Sequence, residues 1–265
     1  MKRLYRYRSV NTWSISGIEH NNFFFASPSD FNDPFDCKNL FTFQGASDSD
    51  WRKFLTTFLI HKKPQLTEQE RKRDVDEVIK SGEHRSREKL AEQRGKWDEV
   101  LENHSRRLGI VCLSESPNNI LMWSHYADSH RGFCLEFDAD ILKKAFYCSR
   151  VRYRKQYPTF SEFVNSSLDE IAHTFVLTKS NHWEYEKEVR LVINAQAEAG
   201  GELRRVVEYP VEALTGIIFG CNMSDEGKEQ IIKAVSSIGA NVNLYNCLKS
   251  SSSYSVIVTG GYINR

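Results

Sequence analysis

The sequence has no long hydrophobic run. Its longest apolar stretches reach about four residues, as at 23–26, whereas a helix that crosses a bilayer needs about 20. Lys2 and Arg3 near the N-terminus are not followed by an apolar segment, so a signal peptide is not expected. We therefore expect a soluble, cytoplasmic protein without membrane contact.

The sequence also has no excess of either charge. Its 36 Lys and Arg residues face 35 Asp and Glu residues, for a formal net charge of +1. A nearly neutral chain carries no overall field that would hold a nucleic-acid backbone, so any such contact has to be a local patch. With 265 residues, 40% of them hydrophobic, the chain can bury a sizeable core, which excludes global disorder.

Several site motifs are missing. The six cysteines lie far apart, with no C-x-x-C and no paired Cys/His spacing, so neither a usual structural zinc site nor a disulfide framework is expected. The sequence lacks G-x-x-x-x-G-K-[ST], G-x-G-x-x-G, H-E-x-x-H and G-x-S-x-G. These absences argue against P-loop NTPases, Rossmann dehydrogenases, zincins and ordinary serine hydrolases.

What the chain does have is a charge-dense segment. Between residues 62 and 107, 24 of 46 positions are charged, 13 basic and 11 acidic. The spacing of its few apolar residues predicts helices. We interpret residues 48–107 as a helical insert within a single catalytic-type domain that spans 1–265. Either its charges are solvated around a narrow packed face, or the insert is an arm that contacts a partner.

The rest of the chain has the pattern of strands separated by short helices. Residues 160–175 predict one long amphipathic helix, and Ser224 and Gly239 are of the types that begin and end another. Because regular helical crossovers between neighbouring strands are missing, we predict an α+β fold with a mostly antiparallel sheet. The predicted strands cover residues 4–8, 23–27, 109–114, 132–137, 189–194, 203–209, 216–219, 242–245 and 253–258.

The first of four polar clusters lies at residues 4–8. Alternation along a strand puts Arg6 and Arg8 on one face and the two tyrosines on the other. Two guanidinium groups on one face repel each other unless they share an anion, so the pair indicates a phosphate-bearing ligand. The alternative is the exposed face of an edge strand.

The second cluster, residues 27–36, contains the turn sequence Asn32-Asp33-Pro34. Asn and Asp side chains in such turns commonly accept hydrogen bonds from nearby backbone amides, so a structural role is favoured for Asn32 and Asp33. Ser27, at a predicted strand end, is a candidate for ligand contact.

The third cluster, residues 122–132, is dense in aromatic and titratable groups. Packing of one helix face explains part of it. Tyr126 or Trp123 would otherwise offer a stacking surface for a flat ring. His125 and His130 lack the spacing of a helical metal pair, so we interpret them as hydrogen-bonded side chains.

The fourth cluster places Glu184, Glu186 and Glu188 at the entrance to an apolar strand. If the strand begins early, the three carboxylates share one face, which is costly unless cations or a function offset it. Arg190 on that face would be their structural partner. The alternative is a functional carboxylate that binds a sugar hydroxyl or stabilises developing positive charge.

Together the clusters resemble the hallmarks of a bacterial family, domain-of-unknown-function family 2971. The resemblance covers nearly the whole chain outside the charged insert, but the family name carries no activity. The segments that carry it are LYRYRS at 4–9, FNDPFD at 31–36, MWSHYA at 122–127 and WEYEKEVR at 183–190.

The order of parts is also similar to that of ADP-ribosyltransferases. These have an early strand with a polar or basic residue, a second strand ending in Ser or Tyr, and a late strand led by Glu. Here Arg6 and Arg8 stand early, Ser27 ends the second predicted strand, and Glu188 leads the late one. No His stands in the first strand, and the Ser-Thr-Ser signature is reduced to Ser27-Pro28-Ser29. The resemblance implies a split antiparallel sheet with flanking helices.

On this resemblance NAD⁺ is a substrate rather than a redox cofactor, and no metal is expected. Glu188 would bind the ribose and stabilise the oxocarbenium-like transition state as nicotinamide leaves, and Glu186 would deprotonate the acceptor or orient Glu188. The acceptor would be RNA, DNA or protein, and a toxin or phage-defence role with an antitoxin or regulatory partner is expected by resemblance alone. The residues implied to contact NAD⁺ are Arg6, Arg8, Ser27, Tyr126, Trp183 and Arg190.

Two other classes of function stay open. A metal-dependent nuclease would combine Asp33 or Asp36 with Glu186, Glu188 and Lys187, since carboxylates suit Mg²⁺. A non-enzymatic module would use the charged insert to bind a partner.

Overall fold

The computed structural model describes residues 2–38, 41–198 and 201–263. Its strands are β1 Arg3–Arg8, β2 Asn22–Phe24, β3 Leu108–Ser114, β4 Phe133–Asp138, β5 Tyr147–Arg150, β6 Arg152–Arg154, β7 Thr178–Ser180, β8 Glu188–Asn194, β9 Val206–Glu208, β10 Leu214–Phe219, β11 Asn243–Lys249 and β12 Val256–Ile263. Its helices are α1 Thr12–Glu19, α2 Asp48–Lys62, α3 Glu68–Ser81, α4 Arg87–Ser105, α5 Ile120–Tyr126, α6 Ala139–Ala145, α7 Phe160–Asn165, α8 Leu168–Leu177 and α9 Asp225–Ser237.

One large sheet of eight strands has the order β12-β11-β10-β4-β1-β3-β8-β5. Strands β10 and β11 run parallel, and the other neighbouring strands in the sheet run antiparallel. The predicted α+β fold with a mostly antiparallel sheet is therefore confirmed. Over the described residues, no helix is both long and apolar enough to span a bilayer.

The two faces of this sheet are covered differently, because side chains alternate along each strand. On one face Leu4 of β1 belongs to the main hydrophobic core, together with Ile18 of α1 and Ile231 of α9. On the other face α5 supplies the buried Trp123, whose ring meets that of Tyr7 edge-on at 5.1 Å. The tyrosine and arginine positions of β1 thus point into different surroundings.

The bounds of α9 follow from its sequence. The hydroxyl of Ser224 accepts a hydrogen bond from the backbone N–H of Gly227 at 3.2 Å, which satisfies one free amide of the first turn. Gly239 follows the helix with a φ of +65°, a conformation that glycine adopts without strain. Both predicted ends of this helix are confirmed.

The single long helix predicted at 160–175 is wrong, since the structure has α7 and α8 there. Ser166 and Ser167 are extended, and Ser167 begins α8 with a capping box. Its hydroxyl accepts from the N–H of Glu170 at 3.3 Å, while the Glu170 carboxylate accepts from the N–H of Ser167 at 2.7 Å. This reciprocal cap starts a new helix even though the apolar pattern continues through it.

The shortest strand pairing in the large sheet is between β1 and β3. Among the described residues these strands share one register pair, Tyr5 with Ser114, whereas β1 pairs with β4 along its whole length. Farther along β3, Ile110 exchanges backbone hydrogen bonds with Ala26 at 3.0 and 2.9 Å. Cys112 lies between these two contacts and is exposed.

The chain divides into two compact units. The first comprises Met1–Phe31, Arg107–Tyr153 and Asn181–Arg265 and holds the large sheet. The second comprises Asn32–Arg106 and Arg154–Ser180. Helices α2, α3 and α4, which cover the predicted insert at 48–107, belong to the second unit together with α7 and α8. That residues 1–265 form a single catalytic-type domain stays a prediction.

Aromatic rings hold the second unit together. Trp51 of α2 lies 4.6 Å from Phe160 of α7, and Phe41 lies 4.3 Å from Phe163. Ion pairs on the helices of the insert, such as Lys96 with Glu92, are exposed. The helices thus pack by one apolar side with solvated charges on the other.

Candidate functional site

The strand predicted at 189–194 begins one residue earlier, at Glu188, and does not extend back to Glu184 or Glu186. Residues Asn181–Glu186 form a 3₁₀ helix, Lys187 has a φ of +45°, and β8 begins at Glu188. A common strand face for the three carboxylates is therefore wrong. Glu184 is exposed, whereas Glu186 and Glu188 are each only 3% exposed. The turn, rather than strand alternation, decides which carboxylates are buried.

Arg190 is fully buried and pairs with Glu188. Its Nε and Nη2 atoms donate to the two carboxylate oxygens at 2.7 and 3.2 Å. The guanidinium lies over the ring of Phe31, 5.4 Å from its centre. A two-point pairing of this kind offsets the cost of removing both charges from water. The structural role predicted for Arg190 is present, and its contact with NAD⁺ stays a prediction.

Glu186 is held by two neighbouring elements. Its Oε1 accepts a hydrogen bond of 2.6 Å from the hydroxyl of Tyr126 in α5, and its carbonyl accepts one of 2.6 Å from Ser114 at the end of β3. Asn119, which caps α5, donates from Nδ2 to the carbonyl of Tyr185 at 3.0 Å. The turn before β8 is therefore fixed to both β3 and α5.

A row of side chains crosses four strands beside this turn. Tyr5 of β1 lies opposite Ser114 of β3, and Ser114 lies opposite Glu188 of β8. On the other side, Tyr5 lies opposite Glu136 of β4 and donates to its Oε2 at 3.3 Å. Residues opposite one another in antiparallel strands share a face. We call this surface, defined by Tyr5, Ser114, Glu136 and Glu188, the glutamate face.

Arg6 and Arg8 lie on the other side of the sheet. Arg6 lies opposite Leu135, and its guanidinium lies 5.1 Å from the ring centre of Phe23. We call this surface, defined by Arg6 and Arg8, the arginine face. Burial, and then the positive charge of Arg8, lowers the pKa of Arg6 to about 9. Burial also lowers the pKa of Arg8.

No carboxylate is among the groups that shift the pKa of either arginine. The neighbours that act on Arg6 are Arg8, Cys112 and Tyr209. The hydroxyl of Tyr209 is itself buried and has no hydrogen-bond partner within the described part of the chain. The arginine face therefore concentrates positive charge that the described residues do not neutralise.

The remaining predicted contact residues fall into two groups. Trp183, Tyr185, His125 and Tyr126 form a series of neighbouring rings with centres 6.0 to 6.4 Å apart. Trp183 and Tyr126 thus lie at the turn before β8, beside Glu186, where a stacking surface for the ligand was predicted. Ser27 is buried and caps a 3₁₀ helix, where its hydroxyl accepts from that of Ser29 at 2.8 Å.

The acidic residues of the second cluster have structural partners in the second unit. Asp33 accepts from the N–H of Phe35 at 2.9 Å, as expected for a turn. Asp36 is buried with Lys179, whose Nζ lies 3.6 Å from its Oδ2. Across the described ranges, no group of three or more His, Cys, Asp or Glu side chains is arranged to hold a metal ion. The geometry adds no support for a metal-dependent nuclease.

Sequence reasoning missed Ser114, Tyr5 and Glu136 as site residues. The signal for Ser114 was present, because the predicted strand at 109–114 ends in serine just as the strand at 23–27 does. Only the pairing of β3 with both β1 and β8 distinguishes the two serines. Glu136 carried no signal of its own, since it is one polar residue inside an apolar strand.

Comparison with known proteins gives one match. Neither a curated protein nor a solved structure matches the chain. The model of a family described as "Protein of unknown function (DUF2971)" matches residues 122–191, less than half of the chain. The matched segment runs from α5 into β8 and includes Glu186 and Glu188, but not the segments 4–9 and 31–36. The predicted DUF2971 resemblance is therefore confirmed over the segment that holds the two buried glutamates.

Proposed function

We propose that the protein is an ADP-ribosyltransferase-like enzyme that cleaves NAD⁺ and transfers ADP-ribose to a macromolecule. The observation that carries this proposal is the row of Tyr5, Ser114 and Glu188 across β1, β3 and β8. An early strand, a strand ending in serine and a late strand led by glutamate are the parts that this enzyme class is expected to combine. Here Ser114, rather than Ser27, takes the place of the serine.

The buried carboxylates suit the chemistry of this step. Cleavage breaks the bond between the anomeric carbon of the ribose and the nicotinamide nitrogen, and nicotinamide leaves as a neutral molecule. The positive charge that develops on the ribose would be stabilised by Glu188, which Arg190 holds in one orientation. The acceptor atom then bonds to the anomeric carbon, and its proton passes to Glu186.

The arginine face supplies the counter-charge for an anionic substrate. Arg6 and Arg8 lack a carboxylate among their electrostatic neighbours, and the pyrophosphate of NAD⁺ would provide the missing negative charge. Because β1 and β3 share one register pair, Tyr5 with Ser114, among the described residues, we propose that the dinucleotide crosses the sheet beside this pair. Its ribose would reach Glu188, and its pyrophosphate would reach the arginines.

The proposed acceptor of ADP-ribose is a macromolecule. RNA, DNA and protein each offer hydroxyl or amine nucleophiles that a base such as Glu186 can activate. The role of a toxin or phage-defence effector follows from the family resemblance alone. Trp183 and Tyr126 would stack against the nicotinamide ring or an acceptor base.

The test uses NAD⁺ labelled in the adenylate phosphate, incubated with separate pools of RNA, DNA and protein. Wild-type protein should transfer label to one pool and release nicotinamide. Glu186→Gln should reduce the rate about a hundredfold or more, as expected for loss of a general base. Glu184→Gln is the matched control, since Glu184 is exposed two residues away, and it should leave the rate unchanged.

Glu188→Gln requires a parallel stability measurement, because it removes the charge that pairs with the buried Arg190. Absence of both label transfer and nicotinamide release in all three pools would overturn the proposal. Mg²⁺-dependent cleavage of nucleic acid without NAD⁺ would identify a nuclease instead.

A further inference from the structure

A thiol and an imidazole face each other where the loop after β10 meets the loop after α5. Cys221 directly follows the loop residue Gly220 after β10, and its Sγ lies 3.8 Å from Nδ1 of His130. On the far side of the ring, Nε2 of His130 lies 3.2 Å from the hydroxyl oxygen of Ser124. The ring also stacks on Trp123 with an interplanar angle of 13°. A nucleophile, a base and an orienting group therefore stand in series.

The hydrogen bonds decide which imidazole nitrogen carries the proton. The hydroxyl of Ser124 donates to the carbonyl of Ile120 at 2.9 Å, so its oxygen is left to accept. The hydrogen between Ser124 and His130 must then come from Nε2 of the imidazole. The lone pair of Nδ1 is left facing the thiol of Cys221 and can accept its proton.

The imidazole is also held in its neutral form. Burial, and then the positive charge of Lys249, lowers the pKa of His130, so at neutral pH the ring is able to act as a base. Cys247 is buried, and burial raises the pKa of its thiol to about 12. Cys221 is partly exposed and can meet a ligand.

The backbone that presents His130 is strained. Asp128, Ser129 and His130 have φ angles of +45°, +52° and +66° in succession, a region that residues other than glycine rarely adopt. Such residues cost about 1–3 kcal/mol each and persist only where the surrounding structure enforces them. The fold therefore holds this loop in place at some cost.

Glycines and backbone hydrogen bonds enforce this arrangement. The N–H of Gly220 donates to the carbonyl of Gly132 at 2.9 Å, and the N–H of Asn222 donates to the carbonyl of His130 at 3.0 Å. A Cβ atom at Gly220 would collide with the carbonyl oxygen of His130, so only glycine permits this approach. The two loops are clamped together at the position where Cys221 meets His130.

We propose that Cys221 is a nucleophilic thiol, with His130 as its general base, that bonds covalently to a carbon electrophile carrying a leaving group. The Cys221 sulfur forms a bond to the electrophilic carbon as the leaving group departs with its electron pair. The thiol proton passes to Nδ1 of His130 and from there to water or the leaving group. The inference is independent of the proposed NAD⁺ chemistry, because Glu186 and Glu188 take no part in it.

Iodoacetamide is the probe, since its alkylation releases iodide and leaves a stable thioether. We expect Cys221 to be labelled at pH 7, as mapped by peptide mass spectrometry, and Cys221→Ser to lose that label. His130→Gln should slow labelling of Cys221 about a hundredfold, the lower range for general-base assistance. The exposed Cys112 is the internal reference in each sample and should keep its own rate.

The controls separate base catalysis from loss of fold. His125→Gln removes an exposed histidine five positions away and should leave the rate unchanged, as should Glu184→Gln, which also changes an exposed side chain. Ser124→Ala removes the acceptor for Nε2 and should slow labelling less than His130→Gln does. Thermal unfolding of each variant, and an unchanged Cys112 rate, verify the fold. A Cys221 rate that is the same in folded wild type and folded His130→Gln overturns the proposal.

Discussion

The two faces of the sheet around β1 treat buried charge in opposite ways. On the glutamate face, both carboxylate oxygens of Glu188 are bound by Arg190, and Glu186 accepts from Tyr126. On the arginine face, the neighbours that act on Arg6 include a second arginine and no carboxylate. The first arrangement contains its own counter-charge, and the second does not supply one from the described residues. We therefore expect substitutions on the glutamate face to change stability without any ligand, and substitutions on the arginine face to act through the anionic ligand that we propose.

Removing one member of the buried ion pair should have the largest effect. Arg190→Met leaves the carboxylate of Glu188 buried without its cation, and we expect the free energy of unfolding to fall by about 3–5 kcal/mol. Urea unfolding followed by circular dichroism measures this loss. Arg150→Met is the control, because Arg150 pairs with Glu115 at the surface and its removal should not change the midpoint measurably.

A double variant sharpens this result. Arg190→Met combined with Glu188→Leu replaces both charges by apolar groups, and it should recover most of the lost stability, since no unpaired charge is then buried. If the double variant were no more stable than Arg190→Met, the loss would reflect packing around Arg190 rather than charge.

Pyrophosphate should stabilise the protein through the arginine face. At a concentration a hundredfold above its dissociation constant, a ligand that binds only the folded state adds about 2.7 kcal/mol. Thermal unfolding with and without pyrophosphate, at matched ionic strength, measures the shift. Arg6→Met or Arg8→Met should remove most of it.

Arg3→Met is the matched control for pyrophosphate. Arg3 is on the same strand but already pairs with Asp138 at 2.8 Å, so its loss should leave the shift unchanged. Equal pyrophosphate shifts in Arg6→Met and wild type would show that the arginine face is not the anion site.

Removing the tyrosine hydroxyl should have a smaller effect. Tyr126→Phe deletes the donor to Glu186, and we expect a loss of about 1.5 kcal/mol, because hydrogen bonds to charged groups contribute more than neutral ones. Tyr254→Phe changes a fully exposed tyrosine and should not alter stability. Equal urea midpoints for Tyr126→Phe and wild type would mean that the Glu186 carboxylate is fully satisfied by its other contacts.

The smallest change in stability is expected for Arg6→Met, and we expect it to be a gain rather than a loss. Arg6→Met keeps an unbranched chain over Phe23 but removes a half-buried charge that has no carboxylate among its electrostatic neighbours. Stability at pH 7 should therefore stay equal or rise by about 1 kcal/mol. Urea unfolding without added anions measures the difference. A loss comparable to that of Arg190→Met would show that Arg6 has a strong partner within the protein.

The difference in the free energy of unfolding between Arg6→Met and wild type should change with pH in a defined direction. Because the pKa of Arg6 is lowered to about 9 in the folded protein, the unfolded chain binds more protons above that pH. Wild-type stability therefore gains from rising pH between about 9 and the ordinary arginine pKa. The advantage of Arg6→Met should narrow between pH 8 and pH 10, and a gap that widens would contradict the assigned burial of this charge.

Local pattern was sufficient for much of the fold. The alternation of Tyr5, Arg6, Tyr7 and Arg8 predicts two unlike faces, and the strand places them so. Ser224 caps α9 as its residue type predicts, because the cap needs only neighbouring backbone. These features depend on atoms within a few residues of one another, so the sequence contains all the information for them.

The local sequence pattern did not predict where some elements begin and end, because backbone caps and turns set these boundaries. The helix predicted at 160–175 is divided by the cap at Ser167, and the strand predicted at 189–194 does not extend back to Glu184, as a face shared by the three glutamates would have required. At Ser167 the apolar period continues through the break, since α7 buries Phe160 and α8 buries Phe175. Before β8, a 3₁₀ helix and the positive φ of Lys187 separate the other glutamates from the strand. The apolar periodicity of the sequence therefore predicts which residues are buried but not where a helix or strand begins or ends.

The composition of the candidate site depended on tertiary structure. The sequence names Ser27 and Ser114 equally well as serines at strand ends, and it cannot state that Ser114 lies between Tyr5 and Glu188. Nor does the sequence indicate that Cys221 and His130, which are 91 positions apart, lie in contact. Strand register and loop contact join residues distant in the chain, and they follow from how the whole core packs rather than from any one segment.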